Sequence, residues 1–295
     1  MDLAPVGLWM FQLDVVPWSQ GREIAQELEA LGYGALWFPE AVGRDALVAS
    51  TLLLDATQRI VAATGIVPLY ARDPVALNAA WQTIEAAFPG RFLLGIGVSH
   101  RPAVEGLRGV AYGPPVATMR TYLDRMDAAP FFAAKPPDPP RRVLAALGPK
   151  MLALAAERAD GAHPYNVTPA HTATARSVLG ADKLLAVEQK AVLTADASAA
   201  REVARRTLAI YLNLPNYVNN WKRLGFTDDD FAGGGSERLC DAMVVWGDEA
   251  AVAARVGEHR DAGADHVCVQ LLPVEAARDV IPLDGWRRLA PALLG

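Results

Sequence analysis

Short apolar runs alternate along this chain with longer segments whose apolar residues recur every three or four positions. Apolar runs of four to eight residues bounded by turn signals predict buried strands, and the longer spacing predicts helices. Val6 to Phe11 reads as a first strand. Ser19 then reads as the cap of a helix carrying Ile24, Leu28 and Leu31, closed by Gly32. Ala35 to Phe38 is a second strand, Ala46 to Thr57 a helix, and Ile60 to Val67 a third strand. Asp73-Pro74 opens a helix through Phe88, with Asp73 at the cap and Pro74 in the first turn, where a missing N–H costs nothing. Pro89-Gly90 stops it, and Phe92 to Ile96 follows as a fourth strand.

The second half repeats the alternation. Arg101 to Pro115 reads as an irregular loop, Ala117 to Ala128 as a helix, and Lys135 to Pro140 as an extended proline linker. Strands are expected at Arg142 to Ala146, Asp160 to His163, Leu184 to Leu193 and His266 to Leu271. Helices are expected from Leu147-Gly-Pro-Lys150 to Ala159, from Thr168, from Ala197 to Tyr211 and from Glu249 to Ala262. Strands alternating with helices across short connections are the signature of parallel βαβ units. Eight of them over 1–295 fit one α/β domain, a (β/α)8 TIM barrel, better than an open doubly wound sheet. An open sheet would carry a glycine fingerprint after its first strand, and Val6 to Asp14 has none. A polar, aromatic and glycine-rich insertion spans about 213–236, with Tyr217, Trp221 and Phe226.

Composition narrows the class. Half of the 295 residues are apolar and the formal net charge is −5, which argues against a nucleic-acid footprint. No apolar run is long enough for a membrane span, and Met1 to Pro5 has no secretory pattern. The two cysteines, Cys240 and Cys268, lack the spacing of a zinc site or a disulfide framework and read as buried packing residues in a cytoplasmic protein.

A parallel barrel keeps its chemistry at the carboxyl ends of its strands. Those ends carry Trp9, Phe11 and Asp14; Glu40; Thr64 to Pro68; Gly97, Ser99 and His100; Gly148; His163, Tyr165 and Asn166; and Gln270. This set has no metal cluster, nucleophile elbow or P-loop. It is aromatic and apolar with few polar points, which suits a large planar cofactor. Gly95 and Gly97 leave bare backbone that a flat ligand can approach. Gly148 before Pro149 places free N–H groups and Lys150 at a helix start, a seat for one phosphate or an ordinary helix start.

The sequence resembles the bacterial luciferase-like flavin and deazaflavin oxidoreductases, and within them a branch of coenzyme F420-dependent oxidoreductases. Leu36-Trp-Phe-Pro-Glu40, Thr64-Gly-Ile-Val67, Phe92-Leu-Leu-Gly-Ile-Gly97 and Arg142-Val-Leu-Ala-Ala-Leu-Gly-Pro-Lys150 with Ala159-Asp-Gly161 carry the resemblance. Tyr211 to Tyr217, Gly225-Phe-Thr227 and Gly233-Gly-Gly-Ser236 add the narrower branch. The resemblance implies a luciferase-like barrel with an insertion, usually a homodimer, and often a non-proline cis peptide at Gly65-Ile66. It implies cofactor binding by Glu40, Thr64, Gly65, Ile66, Val67, Gly97, Val98, Ser99, Leu147, Gly148, Pro149 and Lys150. Its expected activity is hydride transfer between the deazaflavin F420 and a small organic substrate; FMN-dependent monooxygenation and a non-catalytic cofactor-binding barrel are the alternatives. His100 and Glu40 are then the expected catalytic residues, and Trp9, Phe11, His163 and Tyr165 the expected substrate lining. Two positions depart from relatives: Ala41 stands where some deazaflavin enzymes have a histidine, and Ala103 where some have an asparagine.

Overall fold

The computed structural model describes residues 3–275 and 280–295; Met1 and Asp2 lie outside it. Strands β1 (Val6–Trp9), β2 (Ala35–Phe38), β3 (Val61–Thr64), β5 (Phe92–Gly97), β6 (Arg141–Leu144), β7 (Gly161–Ala162), β8 (Leu184–Leu193) and β10 (His266–Leu271) run parallel in that order, and β10 pairs with both β8 and β1 to close the barrel. Two further strands lie on this frame: β4 (Val67–Pro68) extends the β3 side of β5, and β9 (Val244–Gly247) pairs with the far half of β8. The eight expected strands are the eight of the barrel.

Helices α1 (Trp18–Ala30), α2 (Ala46–Ala56), α3 (Pro74–Ala87), α4 (Pro115–Asp127), α5 (Pro149–Arg158) and α6 (Pro169–Leu179) follow the first strands. Then come α7 (Ala197–Leu208), α8 (Pro215–Arg223), α9 (Asp228–Phe231), α10 (Glu237–Met243), α11 (Glu249–Asp261) and α12 (Leu283–Leu294). Asp45, Asp73 and Thr168 cap α2, α3 and α6 through side-chain oxygens that accept first-turn N–H groups.

Several expectations change. The first strand stops at Trp9, short of Phe11. Helix α1 starts at Trp18 behind Pro17, whose φ of −55° leads straight into the helix, so Ser19 lies inside the first turn and caps nothing. The expected strand Ile60 to Val67 is broken by a cis peptide between Gly65 and Ile66. Asp160 to His163 shrinks to two paired residues in β7. The Arg101 to Pro115 loop holds one wide helical turn, Pro102–Leu107. The insertion is largely helical, and α10, β9 and α12 have no counterpart in the sequence reading.

Three packing clusters follow from this layout. Side chains on the outer barrel face meet the helices in the main core. The lumen is filled by Trp9, Trp37, Ala63, Leu93, Val143, Ala186 and Cys268. A third cluster, with Val203, Leu208, Tyr217, Trp221, Phe226 and Met243, belongs to the segment between β8 and β9. Because β7 is so short, β8 outruns it, and β9 takes the free edge beyond. Tyr165 packs against both the lumen and this third cluster, so it joins the barrel to the insertion. Cys240 and Cys268 are free and buried. Among the described residues no helix is long and apolar enough to cross a membrane.

Candidate functional site

The carboxyl ends of the strands carry the unusual backbone. Besides the cis peptide, Ser99 after β5 and Asn166 after β7 both have φ of 58°, a left-handed conformation that side chains other than glycine adopt rarely and mostly where the surroundings impose it. The end of β2 is tied to the cis segment: Gly65 N donates to Phe38 O at 2.8 Å, and Glu40 N donates to Ile66 O at 3.2 Å.

Gly95 and Gly97 also make room for packing inside the barrel. The hydroxyl of Thr64 accepts from Gly95 N at 2.8 Å and donates to Gly95 O at 2.9 Å. A Cβ on Gly97 would lie 2.6 Å from Ile66 Cδ1. The bare backbone of β5 therefore receives Thr64 and Ile66. Thr64 is fully buried with its hydroxyl engaged, and Val67 is fully buried in the core between barrel and helices. Of the expected cofactor segment on this side, Gly65, Ile66, Val98 and Ser99 keep partial exposure.

Trp9, Gly65 and His163 converge. A Cβ on Gly65 would lie 2.6 Å from Trp9 Nε1 and 2.9 Å from His163 Nε2, and both of these buried nitrogens lack a hydrogen-bond partner among the described residues. His163 Nδ1 donates to Ala186 O at 2.9 Å, which leaves Nε2 with a lone pair. Its ring stacks on Trp37, with centroids 4.2 Å apart. Burial lowers the pKa of His163 to about 4, so the ring is neutral at pH 7. Trp9 offers a donor and His163 an acceptor at the same place.

Tyr165 lies 5.1 Å from Trp9, centroid to centroid. Its hydroxyl donates to Gln270 Oε1 at 2.9 Å and accepts from Tyr211 at 3.1 Å. Beneath it Lys190 Nζ sits 3.7 Å from the ring centroid, bound to Glu188 Oε1 at 3.0 Å. Glu188 Oε2 accepts from Asn166 N at 3.2 Å. Tyr217 of the insertion covers this group, its ring 4.9 Å from Tyr211 and 5.7 Å from His100. Burial lowers the pKa of His100, partly offset by a hydrogen bond with Asn216. Phe11 is half-buried against the lumen cluster.

The remaining sites lie around this centre. Glu40 is ion-paired with Arg72 at 2.7 Å. Gly148 precedes α5 and offers no side-chain cap; Pro149 has no N–H and Met151 N donates to Gly148 O at 3.1 Å, which leaves the Lys150 N–H without a side-chain cap. The guanidinium of Arg223, from the end of α8, reaches to 3.7 Å of where a Gly148 Cβ would stand. Pro149 and Lys150 are exposed in the first turn, and Leu147 is half-buried between the main core and the insertion cluster.

The sequence reading missed Arg72, Arg223, Glu188, Lys190 and Tyr211. For Glu188 and Lys190 a signal existed. Residues two apart on a strand share a face, so the opposite charges of Glu188 and Lys190 at that spacing are placed to pair side by side. For Arg72, Arg223 and Tyr211 no local pattern marks them, because their partners are remote in sequence.

A flat ring with a phosphate-bearing arm fits this donor set. Aromatic walls and unpartnered polar atoms lie at the barrel mouth, and an uncapped helix start with a guanidinium lies beside it.

The profile of luciferase-like monooxygenases matches residues 5–266. The chain belongs to this family. A relative from Mycobacterium tuberculosis, named "Putative coenzyme F420-dependent oxidoreductase Rv3520c", is 26% identical over 94% of this chain and 97% of its own length. The luciferase-like barrel also superposes on a coenzyme F420-dependent tetrahydromethanopterin reductase from Methanopyrus kandleri, with TM-score 0.77 at 16% identity, each chain covered to 98%. The FMN-bound oxygenating constituent of 3,6-diketocamphane monooxygenase from Pseudomonas putida gives TM-score 0.70 at 15% identity, covering 97% of this chain and 96% of that one. These two likenesses establish the luciferase-like barrel fold.

Proposed function

We propose that this protein is a coenzyme F420-dependent oxidoreductase that moves a hydride between the deazaflavin ring and a small organic substrate. The observation that carries the reading is the convergence of Trp9 Nε1 and His163 Nε2, both buried and unpartnered, on Gly65 at the end of β3. Buried polar atoms are almost always paired, so a bound molecule with polar groups is the natural partner. The full-length relative named for coenzyme F420 supports the choice of cofactor.

Gly65, Ile66, Val98 and Ser99 would back the ring, Glu40 would accept from its edge, and Gly148 with Arg223 would hold the phosphate. The bound deazaflavin supplies the hydride chemistry. His100 then moves the accompanying proton: it is half-buried at the mouth, and its lowered pKa keeps it neutral at pH 7. Trp9, Phe11 and Tyr165 line the substrate space, and His163 offers it an acceptor. The substrate is a small molecule, and the working unit is a homodimer in the cytoplasm.

FMN is the second reading, because the phosphate seat at Gly148 would serve either cofactor and the FMN-bound neighbour shares the barrel. Titration of the purified protein with F420 and with FMN, followed by fluorescence, tests the reading. F420 is expected to bind at micromolar concentration or below. Tight FMN binding without F420 binding would turn the assignment to a flavin monooxygenase, and binding of neither would end it.

A further inference from the structure

Glu40 leaves β2 at the point where the Phe38 carbonyl and the Glu40 amide clasp the Gly65–Ile66 segment. Its carboxylate does not hang free. Glu40 Oε2 accepts from Arg72 Nη1 at 2.7 Å, while Oε1 accepts no hydrogen bond among the described residues. Arg72 is anchored twice more: its other terminal nitrogen pairs with Asp45, the cap of α2, and its backbone carbonyl accepts from Tyr122 of α4 at 3.0 Å. The Glu40 and Arg72 side chains are 9% and 15% exposed, so the pair is shielded from the screening that makes surface ion pairs weak.

We propose that Arg72 is a positioning residue that fixes Glu40 as a pre-aimed acceptor for an N–H on the edge of the cofactor ring. The proposal rests on the reading that a flavin or deazaflavin occupies this mouth. A carboxylate with one oxygen tied to a rigid guanidinium keeps its other oxygen in one orientation, so less rotamer freedom is lost when a ligand binds. With Oε2 taken by the guanidinium, Oε1 is the oxygen left to accept from a ligand, and proton transfer is left to another group. No local pattern in the sequence marks Arg72, because its partners come from three other elements.

The test is a double-mutant cycle on cofactor affinity, using Arg72→Gln, Glu40→Gln and the double variant, with F420 and FMN titrated by fluorescence. Arg72→Lys is a fourth variant, and thermal unfolding without cofactor is recorded for all. If Arg72 acts through Glu40, each single substitution weakens binding about tenfold, the double variant is no worse than Glu40→Gln alone, and Arg72→Lys restores part of the loss. A purely structural Arg72 would lower the unfolding temperature while the two affinity losses multiplied to about a hundredfold, and that result overturns the proposal. Unchanged affinity in Arg72→Gln overturns it as well. Failure of the wild-type protein to bind either cofactor overturns the cofactor reading itself, and the proposal with it.

Discussion

The ammonium of Lys190 sits 3.0 Å from the carboxylate of Glu188, and neither side chain reaches solvent. Burial disfavours both charges, lowering the lysine pKa and raising that of the glutamate, while each offsets the other. Removing one partner strands a charge in the lumen. Lys190→Met or Glu188→Gln alone is expected to cost about 3–5 kcal/mol in urea unfolding, and the double variant to recover most of it. A double variant as unstable as the sum of the singles would show that the pair is not coupled.

Acid lability follows from the histidines. Burial lowers His163 and His266 to about 4 and His259 to about 3, against 6.5 in an open chain. Between those values the unfolded chain binds protons that the folded chain refuses, so stability is full above pH 6.5 and falls as pH drops. Urea midpoints should decline from pH 7 to pH 5.5, a window above the ordinary range of exposed carboxylates. A flat profile over that window would contradict the assignment. His259→Gln, which keeps a polar group between Thr172 and Gln189, should reduce the slope.

Gly97 is predicted to make room chiefly for Ile66, with Ala145 Cβ next at 3.2 Å. Gly97→Ala pushes a Cβ to 2.6 Å from Ile66 Cδ1 and 2.7 Å from Cγ1. The expected loss is about 1–3 kcal/mol. Adding Ile66→Ala should make the combined loss smaller than the sum of the two, measured by chemical denaturation. Strict additivity would mean that the overlap is relieved elsewhere.

Arg223 should discriminate by phosphate. Beside the uncapped start of α5 it is placed to pair with a phosphate. Arg223→Gln is expected to weaken FMN or F420 binding about tenfold at low salt. The matching analogue without phosphate, riboflavin for FMN, should bind wild type and variant alike. Equal losses for both ligands would remove Arg223 from the phosphate seat.

Much of this architecture was legible in the sequence. The barrel's eight strands, the Asp73-Pro74 helix start and the uncapped Gly148 all depend on residues within a few positions of one another. The readings that changed depend on remote partners. The side chain packed on Gly97 comes from Ile66, thirty-one positions earlier, which no local pattern predicts. Glu40 is held by Arg72, thirty-two positions later, and nothing near Glu40 in sequence predicts that partner.

The sequence by itself determined most of the segments that become strands and helices and their order, because periodicity and caps are local properties of a chain. Only the tertiary structure decided which side chains meet. It joined Trp9, Gly65 and His163 from three strands, set Lys190 beneath Tyr165, and brought Arg223 of the insertion to Gly148. Barrel closure pairs residues far apart along the chain, and the packing that selects those neighbours leaves no periodic trace in either of them.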